Sequence, residues 1–305
     1  MNSTIFPYFL ICQIFLILPF TSGLNFRTIL ARKSLIPAIF QRVSTSLSQV
    51  GKNKNDQIDY SVLFNKWYAM ILNQLNEVEH LSNVDISSEY RDIKGFIRKE
   101  IPIDFKCEAF KSTHFKYVRK VSFSGGGYSV LNFVIFPETS FNLPIFGVDI
   151  VVLPGSSLAN IDFQPLESTN EYFDCEIYSP YKSKLKKWSL SLPSGGEFPA
   201  NAEQYFSPLV LWTKFPSEKN TALLYLVGEA LNAYVESYID LVSKVRMTSI
   251  DEKARHELFL KDYLNYRTEN DPAKRLLTAA FGKEWTESAI KDIMFPIKHT
   301  LDNLT

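Results

Sequence analysis

Asp149 is the single carboxylate in the run Leu143–Leu153, LPIFGVDIVVL. Read as a strand, the run places Ile145, Asp149, Val151 and Leu153 on one face, and Phe146, Val148, Ile150 and Val152 on the other. A strand apolar on both faces is covered on both faces. Asp149 is then surrounded by groups that exclude water, and a buried carboxyl resists ionisation. Such a group holds a proton near neutral pH and delivers it to a bound substrate. An Asp hydrogen-bonded to backbone at a strand irregularity would leave the same pattern. Asp271 precedes Pro272 at the start of a short helix, and an N-cap there contributes about 1 kcal/mol. Asn132 lies mid-strand between Leu131 and Phe133, and a buried amide needs partners. Asp162 alternates with Asn160 and Gln164 as one polar face near a strand end, a structural pattern. Arg119 and Lys214 lie on or beside strands and read as scaffold or surface charges. Lys182, Lys184, Lys186 and Lys187, next to Trp188, form a charge run of the kind that makes a solvated helix or loop face.

No other spacing brings in a metal or cofactor. Cys107 and Cys175 are far apart, and His80, His114, His256 and His299 are scattered. No CxxC, HExxH, GxGxxG or P-loop is present.

The elements that must hold these residues follow from periodicity. Tyr60 to about Val84 reads as a helix with Leu63, Trp67, Met70, Ile71 and Leu75 on a stripe. Strands follow at Phe115–Phe123, Ser129–Phe136, Ile145–Leu153 and Leu158–Phe163, the first two joined by Ser124-Gly125-Gly126-Gly127. Short connections imply an antiparallel meander. Pro180 to Ala202 reads as a long connection, and Ser207–Thr213 as another strand. Thr221–Val245 is helical, Ser249 with Glu252 opens a helix to about Arg267, Asp271-Pro272 starts one ending at Gly282, and Glu287–Met294 is the last. The sum is a single-domain α/β/α sandwich with a central antiparallel sheet flanked by helices.

The chain has 305 residues, 46% of them apolar, enough for one large core. Its 33 basic and 33 acidic residues are unevenly placed. Residues 1–55 hold six Lys or Arg and no acid, which leaves 27 basic against 33 acidic residues beyond. An acidic body excludes a nucleic-acid binder. Ile5–Phe20 is a nearly unbroken apolar run of 16 residues ending in small residues, a secretory signal shape and short for a membrane span. The acid-free, Ser- and Arg-containing stretch after it resembles a transit segment. The expectation is a signal at 1–23, a transit segment at 24–54, and one domain over 55–305, mature in a plastid stroma and not membrane-bound.

In order along the chain, VLNFVIFP (Val130–Pro137), LPIFGVDIV, IDFQPL (Ile161–Leu166), YFSPLVLWTKFP (Tyr205–Pro216) and YRTENDPAKRLLTAAFGKEWTESAIKDIMFP (Tyr266–Pro296) resemble the ferredoxin-dependent bilin reductases. The match runs over roughly Tyr60 to Pro296. VLNFV, FSPLVLWTKFP and GKEWTESAI point to the branch that makes phycoerythrobilin. The blue-pigment branch has a His at the place of Asn132 and an acidic residue near Val121, and this chain has neither. The resemblance implies the same sandwich, a plastid, and a linear tetrapyrrole bound between the sheet and the C-terminal helices. It implies no bound metal or flavin, and electrons taken singly from reduced 2Fe–2S ferredoxin. Asp149 then touches the pyrrole nitrogens, and Asp271 faces the bilin from the helical side. Asn132 meets a bilin lactam or simply a neighbouring strand. Arg119 and Lys214 meet the two propionates, and Lys184, Lys186 and Lys187 dock ferredoxin. The implied step is 15,16-dihydrobiliverdin to phycoerythrobilin at the A-ring diene. The alternatives are a reductase acting on biliverdin or with other regiochemistry, or a bilin carrier. An upstream bilin reductase or downstream lyase would be a further partner.

Overall fold

The computed structural model describes residues 51–52, 58–167, 174–216 and 220–296. The expected signal and transit segments lie outside the described residues, save Gly51–Lys52, which pair with Ile58–Asp59. The helices α1 (Ser61–Val78) and α2 (Ser88–Arg91) are interleaved with the strands of one sheet, β1 (Ser82–Val84), β2 (Asp92–Ile97), β3 (Ile101–Lys111), β4 (Phe115–Gly125), β5 (Tyr128–Pro137), β6 (Ile145–Leu153), β7 (Ser156–Gln164) and β8 (Leu211–Pro216). The order of the sheet follows the chain over most of its width. Its order is β8-β7-β6-β5-β4-β3-β1, antiparallel throughout, with β2 also paired to β3. The meander expected from β4 to β7 is present. Its tightest turn carries Gly126 and Gly127 at φ +55° and +85°, the left-handed pair that a two-residue hairpin needs.

Period-2 alternation gives the sheet two faces, and each acquires its own helices. On one face, Leu131, Phe133, Phe146, Val148, Ile150, Ile161 and Phe163 pack against α1 and α4 (Asn220–Ser243). The helix α3 (Lys182–Ser191) joins this layer through Leu185. On the other face, Phe105, Tyr117, Val121, Phe123 and Phe136 meet α5 (Ile250–Asn270), α6 (Ala273–Phe281), α7 (Lys283–Ala289) and a π-helical turn, Ile290–Met294. This is the α/β/α sandwich. No helix among the described residues is long and apolar enough to cross a membrane.

Several boundaries differ from the sequence reading. The first helix ends at Val78, because Glu79 is extended, and 82–84 becomes an edge strand on β3. Its buried stripe is Phe64, Tyr68, Ile71 and Leu75, rotated slightly from the expected one. The hairpin β2–β3 is an addition to the expected strands, although Ile103, Phe105, Cys107 and Ala109 alternate with Asp104, Lys106 and Glu108. The connection after Pro180 contains α3. The strand expected at Ser207–Thr213 begins at Leu211 instead, because Ser207 is taken up by Asp162 and closes a turn to Val210. The last helix opens at Lys283 rather than Glu287, after Gly282 at φ +87° breaks the chain from α6. The capping box at Ser249 and Glu252 is formed in both directions.

Candidate active site

Between the second face of the sheet and the C-terminal helices runs a cleft enclosing about 1550 Å³ of empty space out to its mouth. That space is open to solvent at the mouth, and residues from β3 to β8 and from both ends of the roof line it, so it is a long open cleft rather than a closed cavity. Its walls are mainly apolar and aromatic, with Phe105, Phe123, Phe206, Trp212, Tyr263 and Tyr266 among them. The polar groups are few: Asn132, Asp149, Asn160 and Gln164 from the floor, Arg267, Asn270 and Asp271 from the roof, and Lys214 from β8.

Register places the floor groups. Asp149 on β6 sits opposite Asn132 on β5 and Asn160 on β7. Asn132 Nδ2 donates a short hydrogen bond to Asp149 Oδ1. Burial pushes the Asp149 carboxyl above its ordinary range. Arg267 and the Asn132 hydrogen bond pull it back, Asp271 pushes it up again, and Arg119 pulls it down. Asp149 is thus half-buried in the cleft floor, with burial the largest of the influences on its carboxyl.

The roof is set by the end of α5. Tyr263 and Arg267 lie one turn apart on the same helix face, and Asp271 follows another turn on. Arg267 Nη2 donates to Asp271 Oδ2 at 2.8 Å, and the Ala273 amide donates to Oδ1 at 2.7 Å. Pro272, not Asp271 as the sequence context suggested, is the N-cap of α6, and Asp271 meets the helix start from one position before it through the Ala273 amide. Burial works against the Arg267 charge, but Tyr263, Asp271 and Asp149 outweigh it and hold the guanidinium protonated. Its carbon lies 5.0 Å from the Phe295 ring centre. Tyr263 donates to Gln164 Oε1 at 2.8 Å, which ties the roof to β7.

The structure thus brings Asp149, Asp271, Asn132 and Lys214 to one cleft. Arg119 is elsewhere. It is 1% exposed, and it does not line the cleft. Its Nη2 donates to Asn132 Oδ1 at 2.6 Å, and Nη1 contacts the Met294 sulfur. A guanidinium so enclosed is not placed to meet a propionate, which corrects the expectation for this residue. Lys184, Lys186 and Lys187 lie on α3, beyond the opposite face of the sheet. Lys184 pairs with Glu236 at 3.0 Å, and Lys187 lies 4.8 Å from the Trp188 ring centre. Asp162 is structural: it is fully buried, and accepts from the Ser207 amide at 2.9 Å and from the Ser207 hydroxyl. Among the described residues no group of three His, Cys, Asp or Glu is arranged to hold a metal.

Sequence reasoning missed Arg267 and Tyr263. The available signal was spacing: Tyr263, Arg267 and Asp271 recur every four residues, which stacks them on one face. Chemically, the cleft offers an apolar slot with a carboxyl of raised pKa on one side and an aspartate–guanidinium pair on the other.

Comparison with known proteins fits this arrangement. Residues 69–296 match the family model described as ferredoxin-dependent bilin reductase. The chain is similar to phycoerythrobilin:ferredoxin oxidoreductase of Synechococcus sp. strain WH8020, 36% identical over 212 residues, covering 68% of this chain and 81% of the relative. It is also similar to the protein of that name from Prochlorococcus marinus strain MIT 9312, 36% identical over 241 residues, covering 75% and 94%. Among solved structures, phytochromobilin synthase from tomato in complex with biliverdin superposes with a TM-score of 0.72 at 23% identity, covering 79% of this chain and 86% of that one. That likeness shows the same fold.

Proposed function

The chain belongs to the ferredoxin-dependent bilin reductase family, and from that premise we propose that it converts 15,16-dihydrobiliverdin to phycoerythrobilin by reducing the A-ring diene. Bilin reduction with electrons from ferredoxin is the family's activity, and the chain is an oxidoreductase. The observation that carries the finer reading is the pair of carboxylates on opposite walls of one cleft. Two electrons arrive singly, and each needs a proton. Adding an electron to a neutral conjugated tetrapyrrole is unfavourable, and protonation makes the resulting radical neutral. Asp149 donates the first proton to a central pyrrole nitrogen. Asp271 serves the A ring, and Arg267 must release one of its oxygens before it takes up and passes on a proton. Asn132 holds Asp149, and Lys214 is the cation at hand for a propionate. The similarity to proteins named for phycoerythrobilin supports the substrate assignment.

The deciding experiment is anaerobic turnover of purified protein with reduced ferredoxin, supplied with 15,16-dihydrobiliverdin or with biliverdin. The expected result is phycoerythrobilin from the first. Turnover of biliverdin alone, or a product reduced at another double bond, overturns the assignment. Ferredoxin docks, in this reading, on the lysine-rich helix α3, and the product passes to another bilin-handling protein. The enzyme works in a plastid stroma, supported by the acid-free stretch after the apolar run. A fluorescent fusion of residues 1–55 should reach the plastid interior; retention in the secretory system or cytosol contradicts this.

A further inference from the structure

Arg119 is among the largest fully buried side chains of the protein, and the cleft does not reach it. Burying a guanidinium is costly unless its hydrogen bonds are met. Its Nε has no partner among the described residues, and one of its two bonded nitrogens meets only a thioether. The remaining strong bond is Nη2 to Asn132 Oδ1, at 2.6 Å. That bond has a consequence one residue further on. A guanidinium offers donors only, so the atom of the Asn132 amide that faces it must be the oxygen. The NH2 group is thereby turned to Asp149, where it donates to Oδ1. A protonated Asp149 that accepts on Oδ1 carries its proton on Oδ2, the oxygen left to the cleft. The amide is also held from behind. Its backbone N–H donates at 3.0 Å to the Tyr68 hydroxyl, which comes from α1 across the sheet and bonds the Val121 carbonyl.

We propose that Arg119 is a positioning residue, which acts through Asn132 to fix the carboxylic proton of Asp149 on the oxygen facing the bilin. The inference rests on the proton-donor reading of Asp149. In the step it serves, the Asp149 Oδ2–H bond breaks, an N–H bond forms on the bilin, and the carboxylate stays behind to be reprotonated from solvent. Without the Arg119 donor, the amide is free to turn its oxygen to Asp149, and the proton then points along the sheet.

The test is a double-mutant cycle with Arg119→Met and Asn132→Leu, read as anaerobic turnover with ferredoxin and bilin. Each single change should lower kcat by about 10²-fold, the cost of a misplaced reacting group, and Arg119→Met, which lies outside the cleft, should leave KM for bilin unchanged. The double variant should be no slower than the slower single. Multiplying losses, or a raised KM with kcat kept, overturns the proposal. The pH profile separates orientation from charge. The groups facing Asp149 are Arg119 on β4, Asn132 on β5, Asn160 on β7, Arg267 and Tyr263 on α5, Asp271 beyond it, and Tyr68 beneath. Losing the Arg119 cation alone would extend activity to higher pH. The proposal requires a lower rate at every pH, partly restored by Arg119→Lys. If Arg119→Met does not fold, wild-type protein labelled with 15N at asparagine suffices: the Asn132 side-chain NH2 signals must move as Asp149 titrates, and a fixed signal overturns the inference. An active Asp149→Asn variant would instead sink the proton-donor reading itself.

Discussion

Asp149 and Asp271 reach the same cleft by different routes, and the difference predicts different failures. Asp149 is pushed toward its protonated form by burial, whereas both oxygens of Asp271 are occupied as acceptors. Asp149→Asn keeps the volume and removes the proton. It should bind bilin normally and reduce it about 10²–10⁴-fold more slowly, the usual cost of losing one general acid. Asp271→Asn should still accept an electron, because Asn also serves at a helix start. A bilin radical should then accumulate, visible by electron paramagnetic resonance during anaerobic turnover. Near wild-type product formation by both variants would remove the carboxylates from the mechanism. Arg267 offers a test of sign. Its positive charge lowers the Asp149 pKa. Arg267→Gln should raise that pKa further, so the proton-bearing form persists to higher pH. The alkaline limb of the rate profile should move upward, while the maximal rate falls because Asp271 loses its partner. A limb that stays in place would show that Arg267 does not act on Asp149.

At the scale of elements, Asp162 shows how a buried carboxyl fixes a boundary. It holds Ser207, so the chain turns there and β8 starts four residues later than the apolar pattern suggests. Burial raises the Asp162 pKa to about 7, against the hydrogen bonds from Ser207 that lower it. An unfolded Asp has a pKa of about 3.9. Between those values the folded state binds more protons than the unfolded one, so stability falls as pH rises from about 4 to about 7. Asp162→Asn should flatten the fall of the thermal midpoint over that range; an unaltered slope would assign it to other groups. The same residue explains what was legible. The strands β4 to β7 show in the sequence because each alternates and each turn is short. Ser207 looked like strand because its contact to Asp162 spans 45 positions. Asp149 was legible because a lone carboxylate in an apolar strand has few explanations. Arg267 was not, because α5 is rich in charges and one more reads as solvated surface. Arg119 was placed on its strand from sequence, but its partner Asn132 is set by register, which periodicity alone does not give.

At the scale of the molecule, the sandwich puts the cleft on one side of the sheet and the lysine-rich helix on the other. The two are closer than that sounds. The helix α3 packs behind β8, whose opposite face presents Trp212 and Lys214 to the cleft. The sheet strand β8 and the body of α3 therefore lie between the lysines and the cleft. The segment Lys182–Ser191 carries four lysines and no acid of its own, although Glu236 on α4 already neutralises Lys184. Lys182, Lys186 and Lys187 are exposed, and under the proposed docking on α3 they are the charges that would steer an acidic electron donor. Redox encounters of this kind are small, short-lived and guided by charge. Lys186→Glu with Lys187→Glu should then slow ferredoxin-driven turnover severalfold at low ionic strength. The effect should shrink toward nothing as salt shortens the Debye length from about 30 Å at 0.01 M to about 10 Å at 0.1 M. Bilin affinity and the rate with a small neutral reductant should stay unchanged, since the cleft lies across the sheet. A low-salt rate equal to wild type would place the donor on another face, and a loss that persists at high salt would point to damage in α3 rather than to lost steering.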